Sequence, residues 1–127
     1  MAPRSPQEVD ALFQEHMRRG ELDAVLELYE PDVSFRNAEG EVKQGRAALR
    51  EELLPFATAK TNFEFDIRGV VLAGDLALVH NQWHLTSPHE ASGYAIEVMR
   101  RQADGTWRFA IGDPFTIKGT ARQVATR

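Results

Sequence analysis

Three polar residues of this chain sit in otherwise apolar patterns, and buried polar groups are the ones that do chemistry. Glu97 lies between Ile96 and Val98 in the segment Tyr94-Ala95-Ile96-Glu97-Val98-Met99. Burial disfavours the charged form of a carboxyl and raises its pKa, by up to about 3–5 units when complete. A neutral Glu can donate a hydrogen bond to a carbonyl oxygen. The alternative is a structural Glu paired with an arginine such as Arg101 or Arg36, since structural pairs also perturb pKa values. Asn37 shares the parity of Val33 and Phe35, so its amide is expected inward, where it must be hydrogen-bonded. It either orients a ligand carbonyl or closes the turn that follows. Asp113 alternates with Phe109, Ile111 and Phe115. A carboxylate on that apolar face is costly unless paired or used. Asp113 is therefore the leading general-base candidate, against the plainer reading of an Asp before Pro at a strand break.

Other chemistries fail on residue type or geometry. His80 and His84 have the spacing of a helical zinc pair, but their segment reads as a strand, where four residues span about 13 Å. Ring nitrogens that far apart cannot share one metal with bonds of about 2.0–2.1 Å. No metal is expected. Ser5, Ser34, Ser87 and Ser92 show no nucleophile-elbow pattern, and no Gly-rich phosphate loop is present. Arg100 and Arg101 fall on opposite sheet faces and make no basic patch. With no Cys there is no disulfide, thiolate metal site or cysteine nucleophile.

The elements that would position these groups are legible. Ser5, Pro6 and Glu8 form a capping box with Pro at the first helical position. Val9, Leu12, Phe13 and Met17 follow at helical spacing, and Gly20 is a stop signal. A second short helix carries Leu22, Val25, Leu26 and Tyr29 on one face and ends at Glu30-Pro31-Asp32. Residues 33–37 alternate as a strand and 42–44 as its short return. A third helix follows Gly45 and is expected to stop before Pro55. From residue 61 the period changes to two. A strand runs through Phe63, Phe65 and Ile67 to a turn at Gly74-Asp75. Further strands cover 76–86, 93–102 and 106–117, with turns at Ser87-Pro88-His89-Glu90 and Asp104-Gly105. Residues 119–127 are expected to fray.

The whole is α+β: three N-terminal helices packed on a curved antiparallel sheet that forms a cone with an internal pocket. The 127 residues fit one domain over 1–127, ordered at about 5–118. The net charge of −4 argues against nucleic acid and anionic membrane as partners. The N-terminus does not read as a secretory signal and no apolar run reaches the roughly 18–20 residues of a membrane span. A soluble, cytoplasmic protein is the expectation. The strand around Glu97 is apolar on both faces, Tyr94, Ile96 and Val98 against Ala95 and Met99. A sheet wetted on one side would alternate cleanly. The second face is therefore expected to be covered, which points to a homodimer through the sheet.

The order of elements, with Gly20-Glu21-Leu22-Asp23-Ala24-Val25-Leu26, Gly45-Arg46-Ala47-Ala48-Leu49-Arg50 and Asp104-Gly105-Thr106-Trp107-Arg108-Phe109, resembles the nuclear transport factor 2-like cone. That superfamily includes ketosteroid isomerases, scytalone dehydratase and SnoaL-like polyketide cyclases. The ketosteroid isomerase pattern pairs a Tyr and a protonated Asp as an oxyanion hole with an Asp base. The resemblance places the Tyr position on Phe13, the base on Asn37 and the second acid on Glu97. Only the last keeps its chemistry, so the full triad is absent.

The implied function is binding of a small, mostly apolar carbonyl or hydroxy compound. The associated activity would be cofactor-free isomerisation, cyclisation or dehydration. Glu97, Asp113 and Asn37 would be the catalytic groups, with Phe13, Phe35, Trp83, Met99 and Phe109 as the apolar wall. The alternative is a non-catalytic ligand-binding or dimeric association module.

Overall fold

The computed structural model describes residues 2–86 and 89–117, with side chains up to residue 114. Its first helix, α1 (Pro6–Arg18), starts as its sequence dictates. Ser5 Oγ accepts from the Glu8 N–H at 3.3 Å, while the Glu8 carboxylate reaches back to the Arg4 N–H at 2.6 Å. This reciprocal cap satisfies orphan donors at the helix start. The inward face of α1 buries Val9, Asp10, Phe13 and Met17. Gly20 then takes φ 73°, a conformation that favours glycine, and turns the chain out of the helix.

Helix α2 (Leu22–Leu26) is shorter than its apolar spacing suggests. Tyr29, expected on its face, instead opens strand β1 (Tyr29–Arg36). The reason is tertiary. The Phe109 N–H donates to the Leu28 carbonyl at 2.8 Å, and the Tyr29 ring packs 4.5 Å from that of Phe109. Strand β2 (Val42–Gln44) returns against β1, and helix α3 (Arg46–Thr58) follows. The expected stop before Pro55 does not occur, for Pro55 lies inside the helix. Proline deletes one ladder bond. Beyond it, however, Ala57 is buried and Phe56 packs against the core, so the last turn is held from outside the helix.

The remaining strands are β3 (Phe63–Ala73), β4 (Leu76–Leu85), β5 (Ala91–Arg101) and β6 (Trp107–Ile117). They lie close to their expected limits. Ser87 and Pro88 of the expected turn, the side chain of Phe115 and the tail at 119–127 lie outside the described residues. The six strands form one sheet in the order β2-β1-β6-β5-β4-β3. It is not purely antiparallel: β1 runs parallel to β6, and every other neighbouring pair is antiparallel. Parallel neighbours need a long crossover, and here the whole of α3 and the meander supplies it.

The sheet is curved and open, and the helices pack on its concave face. Bulges help to bend it, one in β3 between Ile67 and Gly69 and one in β6 between Phe109 and Ile111. The second bulge overturns one expectation. Met99 stands opposite Phe109 but Val98 stands opposite Ile111, so Ala110 is an extra residue and the alternation in β6 breaks. Phe109 is buried, whereas Ile111 is 47 % exposed on the outer face. The register sets Val71, Leu78, Val98 and Ile111 side by side across four strands on that face.

Candidate functional site

Between α1, α3 and the concave face lies a cavity of ≈ 140 Å³. Its wall is aromatic. The Phe13 ring meets Phe63 and Phe65 edge-on at 5.4 and 5.6 Å, and Phe109 closes the same cluster at 6.5 Å. Phe35, Phe56 and Trp83 also line it. Trp83 is held in place at its polar end, where Nε1 donates to the Pro114 carbonyl at 2.7 Å. It is held underneath by Gly93, its partner in β5, where an added Cβ would stand 2.7 Å from the Trp83 ring. Six of the sequence-predicted site residues therefore share one space: Phe13, Phe35, Trp83, Glu97, Phe109 and Asp113.

Glu97 is the polar centre of this wall. Its side chain is half-buried and lines the cavity, so its remaining accessible surface opens onto that enclosed space. Its strand partner in β6 is Gly112, which also borders the cavity and has no side chain to cover it. Neither arginine considered as its partner reaches it. Arg101 Nε and Nη2 bind Asp75 at 2.9 and 2.6 Å, and Arg36 Nε binds Asp113 at 3.3 Å. Glu97 Oε1 instead accepts from Asn81 Nδ2 at 3.0 Å.

Behind Glu97 stands a second carboxyl. Asp10 on α1 is 1 % exposed, and both of its oxygens are sealed from solvent without an N–H or O–H donor. Burial pushes Asp10 up to about 7, against a smaller opposing effect of Glu97 and Asn81. Burial, and then the charge of Asp10, hold Glu97 well above the usual carboxylate range. Tyr29 also lines the cavity, and burial followed by the two nearby carboxyls raises its hydroxyl pKa. Burial thus favours the neutral form of Glu97, a carboxyl that can donate into an apolar space.

The other predicted residues have different fates. Asn37 is buried but does not line the cavity. Its Oδ1 accepts from the N–H groups of Glu39 at 3.0 Å and Glu41 at 2.9 Å, and its Nδ2 donates to Glu41 Oε1 at 3.1 Å. The amide closes the β1–β2 turn, so the ligand-orienting alternative is the one the geometry rejects. Met99 shares the inward face of Glu97 but is fully buried in the core, away from the cavity lining. Asp113 reaches the cavity, though not by alternation with Phe109, which the bulge interrupts. It sits at the rim as the counter-ion of exposed Arg36. His80 is exposed on β4, and His84 lies 3.8 Å from Glu90.

Sequence reasoning missed Asp10, Asn81 and Tyr29. A signal existed for two of them. Asp10 precedes Phe13 by three positions and Met17 by seven, the spacing of one helical stripe. Asn81 alternates with Val79 and Trp83. Tyr29 was masked by its placement on the second helix.

The model of the SnoaL-like domain family matches residues 9–121 of the chain. Among solved structures, an NTF-2-like protein of unknown function from Shewanella oneidensis superposes with a TM-score of 0.71 at 19 % identity, covering 84 % of this chain and 93 % of that one. A ketosteroid isomerase-like protein from Erwinia carotovora atroseptica gives 0.69 at 19 % identity, over 89 % and 94 % of the two chains. A candidate dehydratase of the NTF2-like family from Streptomyces avermitilis gives 0.68 at 21 % identity, again over 89 % and 94 %. At such identities the likeness is one of fold. No curated protein matches the sequence.

Proposed function

Because the chain belongs to the SnoaL-like domain family, whose fold hosts many activities, we propose that its cavity takes a single-ring carbonyl or hydroxy compound and moves a proton on it without a cofactor. The observation that carries this reading is Glu97, a carboxyl free of arginine partners and set among aromatic rings. Size narrows the ligand. A cavity of ≈ 140 Å³ is close to the roughly 150 Å³ of an engineered cavity that accepts benzene. It is smaller than the roughly 300–1,000 Å³ of sites for drug-sized ligands. A six-membered ring suits it better than a fused polycycle.

In this reading protonated Glu97 donates to the ligand oxygen and stabilises charge that develops there. Asp113, held beside Arg36 and one residue along from Gly112, takes the proton from the carbon next to the carbonyl. Cyclohexanone is a suitable probe because it carries one acceptor oxygen and exchangeable α-protons. In deuterated buffer at pH 6 the protein is expected to accelerate α-proton exchange, followed by NMR. Asp113→Asn should slow it by about 10²–10⁴-fold. Glu97→Leu should weaken binding about tenfold, as loss of one hydrogen bond to a desolvated oxygen implies. Binding without exchange, unaffected by Asp113→Asn, would favour the non-catalytic module. No binding in the wild type would end both readings.

The outer face supports a second proposal, that two copies pack sheet to sheet. Val71 and Ile111, 64 % and 47 % exposed, end a row of four apolar side chains crossing the sheet. Exposed contiguous apolar surface marks interaction sites. No described helix is long and apolar enough to cross a membrane.

A further inference from the structure

Asp10 is left without a role by the reading above, and its surroundings define one. The carboxyl is 1 % exposed, and neither oxygen has a hydrogen-bond donor. The neighbouring Asn81 gives one Nδ2 hydrogen to Glu97 and has only a weak lowering effect on Asp10, and its Oδ1 is buried without a partner as well. An ionised carboxylate can only accept. The cluster is thus rich in acceptors and short of donors, and a buried carboxylate in such a place is costly. No lysine, arginine or histidine among the described residues forms an ion pair with either acid. The other ionisable groups on the cavity wall are Tyr29 and Arg36 from β1, Glu52 from α3 and Asp113 from β6, with Arg36 bound to Asp113. The missing donor is therefore a proton on the carboxyls themselves.

We propose that Asp10 is a positioning residue which decides whether Glu97 presents a donor or an acceptor to the cavity. With a proton on Asp10, that proton bonds to a Glu97 oxygen, and the Glu97 hydroxyl turns to the ligand. When Asp10 loses its proton, the Glu97 hydroxyl turns back to the Asp10 carboxylate, and the cavity is offered an acceptor oxygen. One proton leaves to solvent in this change and no bond of the ligand is altered. A ligand with only acceptor oxygens is bound in the first state and disfavoured in the second. Asn81 holds Glu97 Oε1 in both states. The inference rests on Glu97 as the ligand's donor.

The burial that lifts Asp10 to about 7 sets the pH range of the test. Cyclohexanone affinity, measured by calorimetry between pH 6 and 8, is expected to fall as pH rises above about 7, approaching tenfold per unit. Asp10→Asn has nearly the same shape and carries a permanent donor toward Glu97. Its affinity should be flat across the range and close to that of the wild type at pH 6. A purely structural Asp10 would shift affinity equally at every pH and leave the profile. A flat wild-type profile, or an Asp10→Asn profile like that of the wild type, overturns the proposal. A second measurement needs no ligand. In protein carrying ¹³C-carboxyl aspartate and glutamate, Asp10 should titrate near neutrality while Glu97 stays protonated through that step. In Asp10→Asn no carboxyl should titrate there. If both acids titrate in the ordinary acidic range the inference fails. If cyclohexanone does not bind but the carboxyls titrate as described, the proposed function fails and the coupling of the two acids stands.

Discussion

Glu97 and Asp10 bring two carboxyls into a space built from aromatic rings, and the energetic consequence extends beyond ligand binding. In the unfolded chain Asp10 ionises near its ordinary value of about 3.9. In the folded protein burial lifts it to about 7. The native state therefore holds a proton that the unfolded state has lost, and stability must fall as pH rises between those values. The contribution is fully present below about pH 4 and gone above about pH 7, with a slope of at most about 1.4 kcal/mol per pH unit. The exposed acids Glu15, lowered chiefly by its bond from Arg18, and Asp104, lowered by Thr106, act with the opposite sign and only below the ordinary acid range. Urea unfolding at pH 5 and at pH 8 should show the wild type less stable at the higher pH. Asp10→Asn removes the ionisation and should narrow that gap. An equal or larger gap in the variant would mean that Asp10 is ionised throughout.

At the scale of elements, local signals and tertiary contacts compete, and the outcomes follow the size of the effect. The cap on α1 is local. Ser5→Ala removes the acceptor of the Glu8 N–H and should cost about 1 kcal/mol, read as a shift in the urea midpoint. The ends of α2 and α3 are tertiary, set by Tyr29 pairing with β6 and by Phe56 and Ala57 seating in the core. Trp83 and Gly93 show how finely β4 and β5 are matched. A Cβ at position 93 would lie 2.7, 2.9 and 3.1 Å from three Trp83 ring atoms, and the ring is tethered at Pro114. Gly93→Ala must move a rigid indole rather than a flexible chain end. It should destabilise by about 1–3 kcal/mol, as overpacking does, and distort the cavity wall. A variant as stable as the wild type would show that the indole is free to move.

On the scale of the whole molecule the two faces of the sheet differ. The concave face carries the cavity and the convex face carries the row Val71, Leu78, Val98 and Ile111. If that row is an interface between two copies, Ile111→Glu places like charges across the two-fold axis and should convert a dimer to a monomer. Sedimentation velocity at micromolar concentration reads this directly, with cyclohexanone binding as the check that the cone is intact. A wild type that sediments as a monomer would remove the dimer, leaving the concave-face chemistry untouched.

Periodicity and punctuation in the sequence determined which elements form and which of their faces are apolar, because those depend on spacing along the chain. The capping box of α1, the meander from β3 to β6, the inward parity of Glu97 and the aromatic stock of the cavity all follow from that spacing. The bulge at Ala110 lay outside that reach, since the register of β6 is decided by its partner β5. So did the parallel pairing of β1 with β6 and the end of α2 at Leu26, both set by contacts between residues distant in the chain. Asn37 had two legible uses, and only the position of Glu41 across the turn selected one. Above all, the meeting of Asp10 with Glu97 joins residues 87 positions apart in the sequence. Spacing alone places each of them on an inward face. Only the packing of α1 on the sheet, against β3 and β6, brings their carboxyls together in a shared space where burial raises the pKa of both.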